Sequence, residues 1–79
     1  MPTFFLDIAD GDHVITDEDG VEFATAEVAI SEVVTGAREL VAHGIMRNED
    51  VSAQVFIIRD EDGATIATVP FRETFAWAT

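Results

Sequence analysis

The fold of this chain is decided by residues 25–44, which read TAEVAISEVVTGARELVAHG. Thr25 is typical of a helix N-cap, and Glu27 follows in the first turn, where the helix dipole favours negative charge. Apolar and small residues then recur at steps of three and four, which is the spacing of one helix face: Ala26, Ile30, Val33, Ala37, Leu40 and Gly44. The pattern predicts an amphipathic helix of about five turns. It ends at Gly44 or one turn later at Arg47–Asn48.

The residues before the helix form a strand-turn-strand pattern. Residues 3–8, TFFLDI, are rich in aromatic and β-branched side chains that alternate between two faces. Asp10-Gly11 is a strong signal for a two-residue hairpin turn, and residues 13–16 supply the returning strand. We therefore expect a β-hairpin ahead of the helix.

The residues after the helix repeat this arrangement. Residues 51–59 contain the apolar run VFIIR and predict a second long strand, which is followed by an acidic turn and a strand over residues 64–69. Pro70 ends that strand. Phe71 and Phe75 lie one helical turn apart, so we expect a short C-terminal helix that opens at Pro70.

These elements predict a single α+β domain over residues 1–79 in the order β-β-α-β-β. Two hairpins joined by one helix most simply form a four-stranded antiparallel sheet with the helix across one face. The two most apolar strands, 3–8 and 51–59, are expected at the centre, which gives the spatial order 2-1-3-4. With 79 residues, the chain is long enough for one domain only.

A single helix leaves the second face of this sheet uncovered. Phe5, Phe56 and Ile58 are predicted to lie on that face and to make it apolar, and an exposed apolar patch of more than a few hundred square ångströms usually marks an interface. Either the segment 70–79 or a second chain covers the patch, and we favour a homodimer. The candidate interface residues are Phe5, Phe56, Ile58, Phe71, Phe75 and Trp77.

The tetrapeptide Asp-Glu-Asp-Gly occurs twice, at residues 17–20 and 60–63. An EF-hand calcium loop needs oxygen ligands at its first and twelfth positions when a glycine is sixth. Aligned on Gly20 or on Gly63, both copies place apolar residues there: Ile15 and Ala26 in the first copy, Ile58 and Val69 in the second. The spacing instead favours turns that a glycine with positive φ closes. The second copy is expected to join two strands, and the first to direct the chain away from the sheet.

Composition excludes several classes of function. Sixteen acidic residues face four arginines and no lysine, for a formal net charge of −12. Such a charge repels phosphate backbones, so we expect no binding to nucleic acid, whereas a basic protein partner is compatible with it. There is no cysteine, no signal-peptide pattern and no apolar run of membrane-spanning length, so we expect a cytoplasmic protein without membrane contact.

The residues that usually carry chemistry are sparse and scattered. Ser31 and Ser52 lack the context of a nucleophile elbow, and His13 and His43 have no metal-ligand spacing. The five glycines are dispersed, so no phosphate-binding loop is present. We expect no catalytic, cofactor-binding or metal-binding residues, and thus no enzyme.

The chain resembles a family of very short bacterial proteins of unknown function. The resemblance rests on Phe4-Phe-Leu-Asp-Ile8, Asp10-Gly-Asp12, Asp17-Glu-Asp-Gly20 and Arg59-Asp-Glu-Asp-Gly63 with Val69-Pro-Phe-Arg72, and it covers nearly the whole chain. These motifs are turn and strand residues, so the resemblance implies no activity. From the sequence we predict a non-enzymatic protein-interaction module that self-associates through an apolar sheet face or edge. One alternative is a small-ligand-binding protein with a pocket near the aromatic C-terminal segment, lined by Phe71, Phe75 and Trp77. Another is a hydrolase-like enzyme that uses the acidic rim.

Overall fold

The computed structural model describes residues 1–75 and shows one helix packed on one face of an antiparallel sheet. The elements are β1 (Thr3–Asp10), β2 (His13–Ile15), β3 (Val21–Glu22), α1 (Ala26–Met46), β4 (Val55–Arg59), β5 (Thr65–Pro70) and a 3₁₀ turn (Phe71–Glu73). The spatial order is β2-β1-β4-β5, and β3 also pairs with β1. The predicted α+β class, the one long helix and the antiparallel sheet are therefore confirmed.

Two details of the predicted fold are matched only roughly. The sheet has a fifth strand, because β3 pairs with β1 on the edge that β2 also occupies. The short C-terminal helix is a single 3₁₀ turn, which Pro70 precedes and Thr74 ends. A two-residue strand such as β3 produces no alternation, so the sequence pattern contained no signal for it.

Helix α1 begins and ends with local capping contacts. The Thr25 side chain accepts a hydrogen bond of 3.1 Å from the Val28 N–H, as expected for the N-cap. The helix continues past Gly44 and is capped at Arg47, followed by Asn48 with a φ of 59°. The later of the two predicted ends is therefore correct. Gly44 has a different role: a Cβ there would lie 2.8 Å from the Glu49 carbonyl oxygen, so only glycine allows this close return of the chain.

The core lies between α1 and the sheet. Its buried residues come from the helix, both central strands, β5 and the 3₁₀ turn: Phe4, Ala29, Val33, Ala37, Val41, Phe56, Ile58, Val69 and Phe71. The Phe56 and Phe71 rings lie 5.1 Å apart between centroids. The Arg38 side chain donates to the Thr74 carbonyl, which holds the chain after the 3₁₀ turn against α1.

The prediction that Phe56 and Ile58 lie on the uncovered face was wrong. In an antiparallel pair, directly opposed residues share a face of the sheet. The register on the helix side pairs Leu6 with Ile58 and Ile8 with Phe56. Phe56 and Ile58 are therefore core residues, and Ile58 is completely buried.

Candidate functional site

The face of the sheet opposite α1, called the open face here, is the candidate site. It is formed by Phe5, Asp7 and Ala9 of β1 and by Val55, Ile57 and Arg59 of β4, with Val14, Thr68 and Pro70 on the flanking strands. Most of its central side chains are half-buried, and Val14 is 50% exposed. Helix α1 packs on the other face, and the described part of the chain has no second helix to cover this one.

A bidentate ion pair occupies one end of the open face. The Arg59 Nε and Nη2 atoms donate to the two Asp7 carboxylate oxygens at 2.7 and 3.0 Å. The Arg59 guanidinium also lies over the Phe5 ring, 5.3 Å from its centroid, which is a cation–π distance. Asp7 is buried, so this pairing compensates the burial of its charge.

The first acidic tetrapeptide closes this end of the site through Asp17. One Asp17 oxygen accepts from the Asp19 and Gly20 amides at 3.2 and 3.1 Å, which forms a tight local turn. The other oxygen accepts from the Leu6 N–H at 3.1 Å. In return the Asp17 N–H donates to Asp7 at 3.0 Å. Asp17 therefore connects the turn to both the strand backbone and the ion pair.

The Leu6 amide needs this acceptor because the edge of β1 is paired discontinuously. Ile8 pairs with Ile15, and Phe4 pairs with Val21. Between these two pairs β1 advances by four residues, whereas the chain from β2 to β3 advances by six. The two extra residues loop out from the edge of β1 between β2 and β3. The Leu6 amide therefore has no backbone partner on that edge. The Asp17 carboxylate takes the place of the missing carbonyl, because a backbone N–H within a sheet needs a hydrogen-bond acceptor.

The second acidic tetrapeptide forms a similar local turn but contacts a different residue of β1. The Asp60 carboxylate accepts from the Asp62 and Ala64 amides at 2.9 Å, and the loop joins β4 to β5. Glu61 extends to β1 and accepts from the Thr3 N–H at 2.7 Å. Both tetrapeptides therefore lie near the start of β1, and each supplies a carboxylate to one of its amides. Both tetrapeptides form turns, as predicted, and the second joins two strands. The prediction that the first directs the chain away from the sheet was wrong, because the residues that follow it form β3 and pair with β1.

The geometry of these carboxylates is that of hydrogen-bond acceptors. Gly20 and Gly63 both have positive φ, 76° and 84°. A Cβ on Gly20 would lie 2.6 Å from the Thr3 Cγ2 atom, so the first turn packs tightly on β1. Within residues 1–75, no cluster of three or more His, Cys, Asp or Glu side chains is arranged to hold a metal ion.

Hydrogen bonding lowers the pKa of both central carboxyl groups below the ordinary value of 3.8. For Asp7 the main cause is the Arg59 side chain, assisted by the Asp17 amide and opposed by burial. For Asp17 it is the Leu6 amide, assisted by Gly20 and Asp19 and opposed by burial and by the Asp7 charge. Asp7 in turn raises the pKa of Arg59. The cluster is thus ionised at neutral pH.

Acid is expected to weaken the fold through these two groups. A carboxyl whose pKa is lower in the folded chain stabilises the fold above its unfolded pKa, and that contribution is lost as the pH falls through the folded pKa. We expect the free energy of unfolding, from urea titrations, to fall below about pH 4. Asp17→Asn should flatten this decline, whereas Glu18→Gln, which removes an exposed charge of the same loop, should not. Parallel curves for both variants would contradict the assignment.

The predicted interface residues are not brought together on the open face. Phe5 lies there, whereas Phe56, Ile58 and Phe71 are in the core, and Phe71 has no exposed surface. Phe75 is half-buried against the core, and Trp77 lies outside the described residues. Sequence reasoning missed Asp7 and Ile57 as members of this face. The signal was the pairing register, which a single strand does not reveal.

Two recesses of the described surface lie away from Phe71 and Phe75, and Trp77, the third residue of the predicted ligand pocket, lies outside the described residues. One recess, of about 250 Å³, lies between the end of α1 and the following loop and is lined by Val41, Ile45, Asn48, Glu49, Asp50 and Val51. The other follows one side of α1 alone, between Gly36 and Arg47, and is a surface groove. Among residues 1–75, no helical segment combines the length and the hydrophobicity that a membrane span requires.

Comparison with known proteins assigns the chain to a family without assigning an activity. A search of curated proteins returned no match, and a search of solved structures also returned none. A family model described as a domain of unknown function matches residues 3–72, which include every strand and the helix described above. This chain therefore belongs to the DUF6894 family.

Proposed function

We propose that this protein is a non-enzymatic protein-interaction module that self-associates and uses the open face as a contact surface for other protein chains. The observation that carries the proposal is the apolar centre of that face, formed by Ala9, Val14, Val55 and Ile57 and not covered by α1. Exposed apolar surface on a sheet is characteristic of protein contacts.

The charged groups beside this surface support binding over catalysis. Asp7 and Asp17 accept hydrogen bonds from Arg59 and from backbone amides, and their lowered pKa values keep them ionised. A carboxyl group in this state cannot act as a general acid near neutral pH. His13 and His43 are both exposed, one at the β1–β2 hairpin and the other in the last turn of α1. Neither histidine belongs to this cluster.

The position of the acidic residues indicates which partners fit. The two tetrapeptide turns lie at one end of the open face, and Asp10 and Asp12 lie at the hairpin at the other end. An apolar surface between two acidic ends suits a protein with apolar side chains bordered by basic ones. It disfavours nucleic acid, whose phosphates would meet a chain of net charge −12.

Site-specific cross-linking tests the open face. Val14 and Ile15 are neighbours on β2, are 50% and 57% exposed, and point to opposite faces of the sheet. With a photoreactive benzoylphenylalanine at position 14, we expect covalent adducts with other protein chains after irradiation in cells of the source organism. The same residue at position 15 should give few. A Val55→Thr/Ile57→Thr background should remove the position-14 adducts, because threonine keeps the β-branched shape and removes apolar surface.

Equal labelling from positions 14 and 15 would contradict the proposal, as would adducts that persist in the Val55→Thr/Ile57→Thr background. The mass of each adduct identifies its partner. An adduct of twice 8.6 kDa is a second copy of this chain, and any other mass is a different protein.

A further inference from the structure

The outer edge of β5 is a second unpaired surface. Strand β5 is the last in the order β2-β1-β4-β5, and within residues 1–75 no strand pairs with its outer side. Thr68 is exposed, and Ile66 is 38% exposed. An edge of this kind presents free backbone donors and acceptors to another strand.

The register shows which groups of β5 point outward. The Phe71 N–H donates to the Gln54 carbonyl at 2.9 Å, in line with the pairing of Phe56 with Val69. Hydrogen-bonded and non-hydrogen-bonded pairs alternate along an antiparallel ladder, so the N–H and C=O of Thr68 point away from β4. Pro70 has no N–H, so it ends the row of donors on this edge.

The two edges of the sheet differ in the features that prevent pairing with another strand. The β2–β3 edge is short and interrupted, and residues 10–22 along it include six carboxylates: Asp10, Asp12, Asp17, Glu18, Asp19 and Glu22. These are typical devices against unwanted strand pairing. Residues 63–71, which contain β5, have no charged side chain, although charged residues form 25% of the chain. The β5 edge is therefore open to pairing where the opposite edge is not.

We infer that β5 pairs antiparallel with the β5 of a second copy of this chain, and we call this pairing the seam. The inference rests on the proposed self-association. Each copy has a net charge of −12, and the uncharged segment is where two copies approach without facing carboxylates. An antiparallel edge is self-complementary under a two-fold axis. The pairing places both α1 helices on one side of a joined sheet and both open faces side by side on the other.

The mass of the protein in solution tests this seam. In analytical ultracentrifugation we expect a mass of twice 8.6 kDa for the wild-type chain and of 8.6 kDa for Ile66→Glu. The variant is expected to be monomeric because each copy would bring a carboxylate to the seam. Ile15→Glu, which adds the same charge to an exposed position of the opposite edge, should leave the mass at twice 8.6 kDa. Circular dichroism confirms that both variants are folded.

Hydrogen exchange of the Thr68 amide tests the seam without a substitution. We expect this amide to become more protected as the protein concentration rises, while protection of the Leu6 amide, which is bonded within the chain, stays constant.

Three results would overturn the inference. A wild-type dimer that Ile66→Glu leaves intact shows that self-association uses another surface. A monomer with a rapidly exchanging Thr68 amide rejects both the seam and the proposed self-association, but leaves the open-face proposal standing. A monomer whose Thr68 amide is protected at every concentration shows that the edge is covered within one chain.

Discussion

A Phe56→Glu variant is expected to be unfolded. The Phe56 side chain is 9% exposed and packs against Phe71 between α1 and the sheet. Glutamate there removes apolar burial of about 2–3 kcal/mol and places an unpaired carboxylate in the core at a further cost of several kcal/mol. A domain of this length has a total stability of roughly 4–12 kcal/mol. Far-UV circular dichroism at neutral pH should therefore show loss of the native spectrum.

Ile57→Glu is the matched control for this prediction, because Ile57 is the next residue on β4 and points to the open face. It is half-buried, so its glutamate can reach water, and we expect the variant to keep the native spectrum. A folded Phe56→Glu variant of reduced mass would instead place Phe56 at an interface. That result would contradict the pairing of Ile8 with Phe56 on the face that α1 covers.

An Asp17→Ala variant should lose about 2–3 kcal/mol of stability, from three backbone amides left without their acceptor. These amides belong to Leu6, Asp19 and Gly20, and the Leu6 amide lies in the gap between β2 and β3. The variant also removes the turn that presents the Asp17 N–H to Asp7. Urea unfolding followed by circular dichroism measures the loss.

Asp60→Ala provides the comparison, because Asp60 is the corresponding residue of the second tetrapeptide. Its carboxylate accepts from two exposed amides of its own turn, so we expect a loss of about 1 kcal/mol. Equal losses at Asp17 and Asp60 would show that the bond to the Leu6 amide contributes nothing. The difference between the two variants therefore isolates the contact between the turn and β1.

The helix and the turns were predictable because their determinants are close together in the chain. Thr25 lies three residues from the amide that it caps, and each Asp-Glu-Asp-Gly turn is closed by the first aspartate and a glycine with positive φ. Each of these contacts joins residues that are close together in the chain, so its residue types can be recognised in the sequence. The start of α1 and the two turns were accordingly predicted correctly.

The composition of the open face was predicted incorrectly because strand periodicity separates two faces without ordering them. Alternation along β4 groups Phe56 with Ile58 and Val55 with Ile57, but it does not say which group meets α1. The pairing of Leu6 with Ile58 decides this, and it joins residues 52 positions apart. A shift of one residue in that register would exchange the two faces.

What the sequence by itself determined is local: one helix, two hairpin-forming halves, two acidic turns and a strongly negative surface. The tertiary structure alone decided which side chains became core, and it placed carboxylates of both turns on amides of β1, Asp17 on Leu6 and Glu61 on Thr3. The physical reason is that caps and turns depend on neighbouring residues. Faces, edges and acceptors for strand amides depend instead on the register between strands that are distant in the chain.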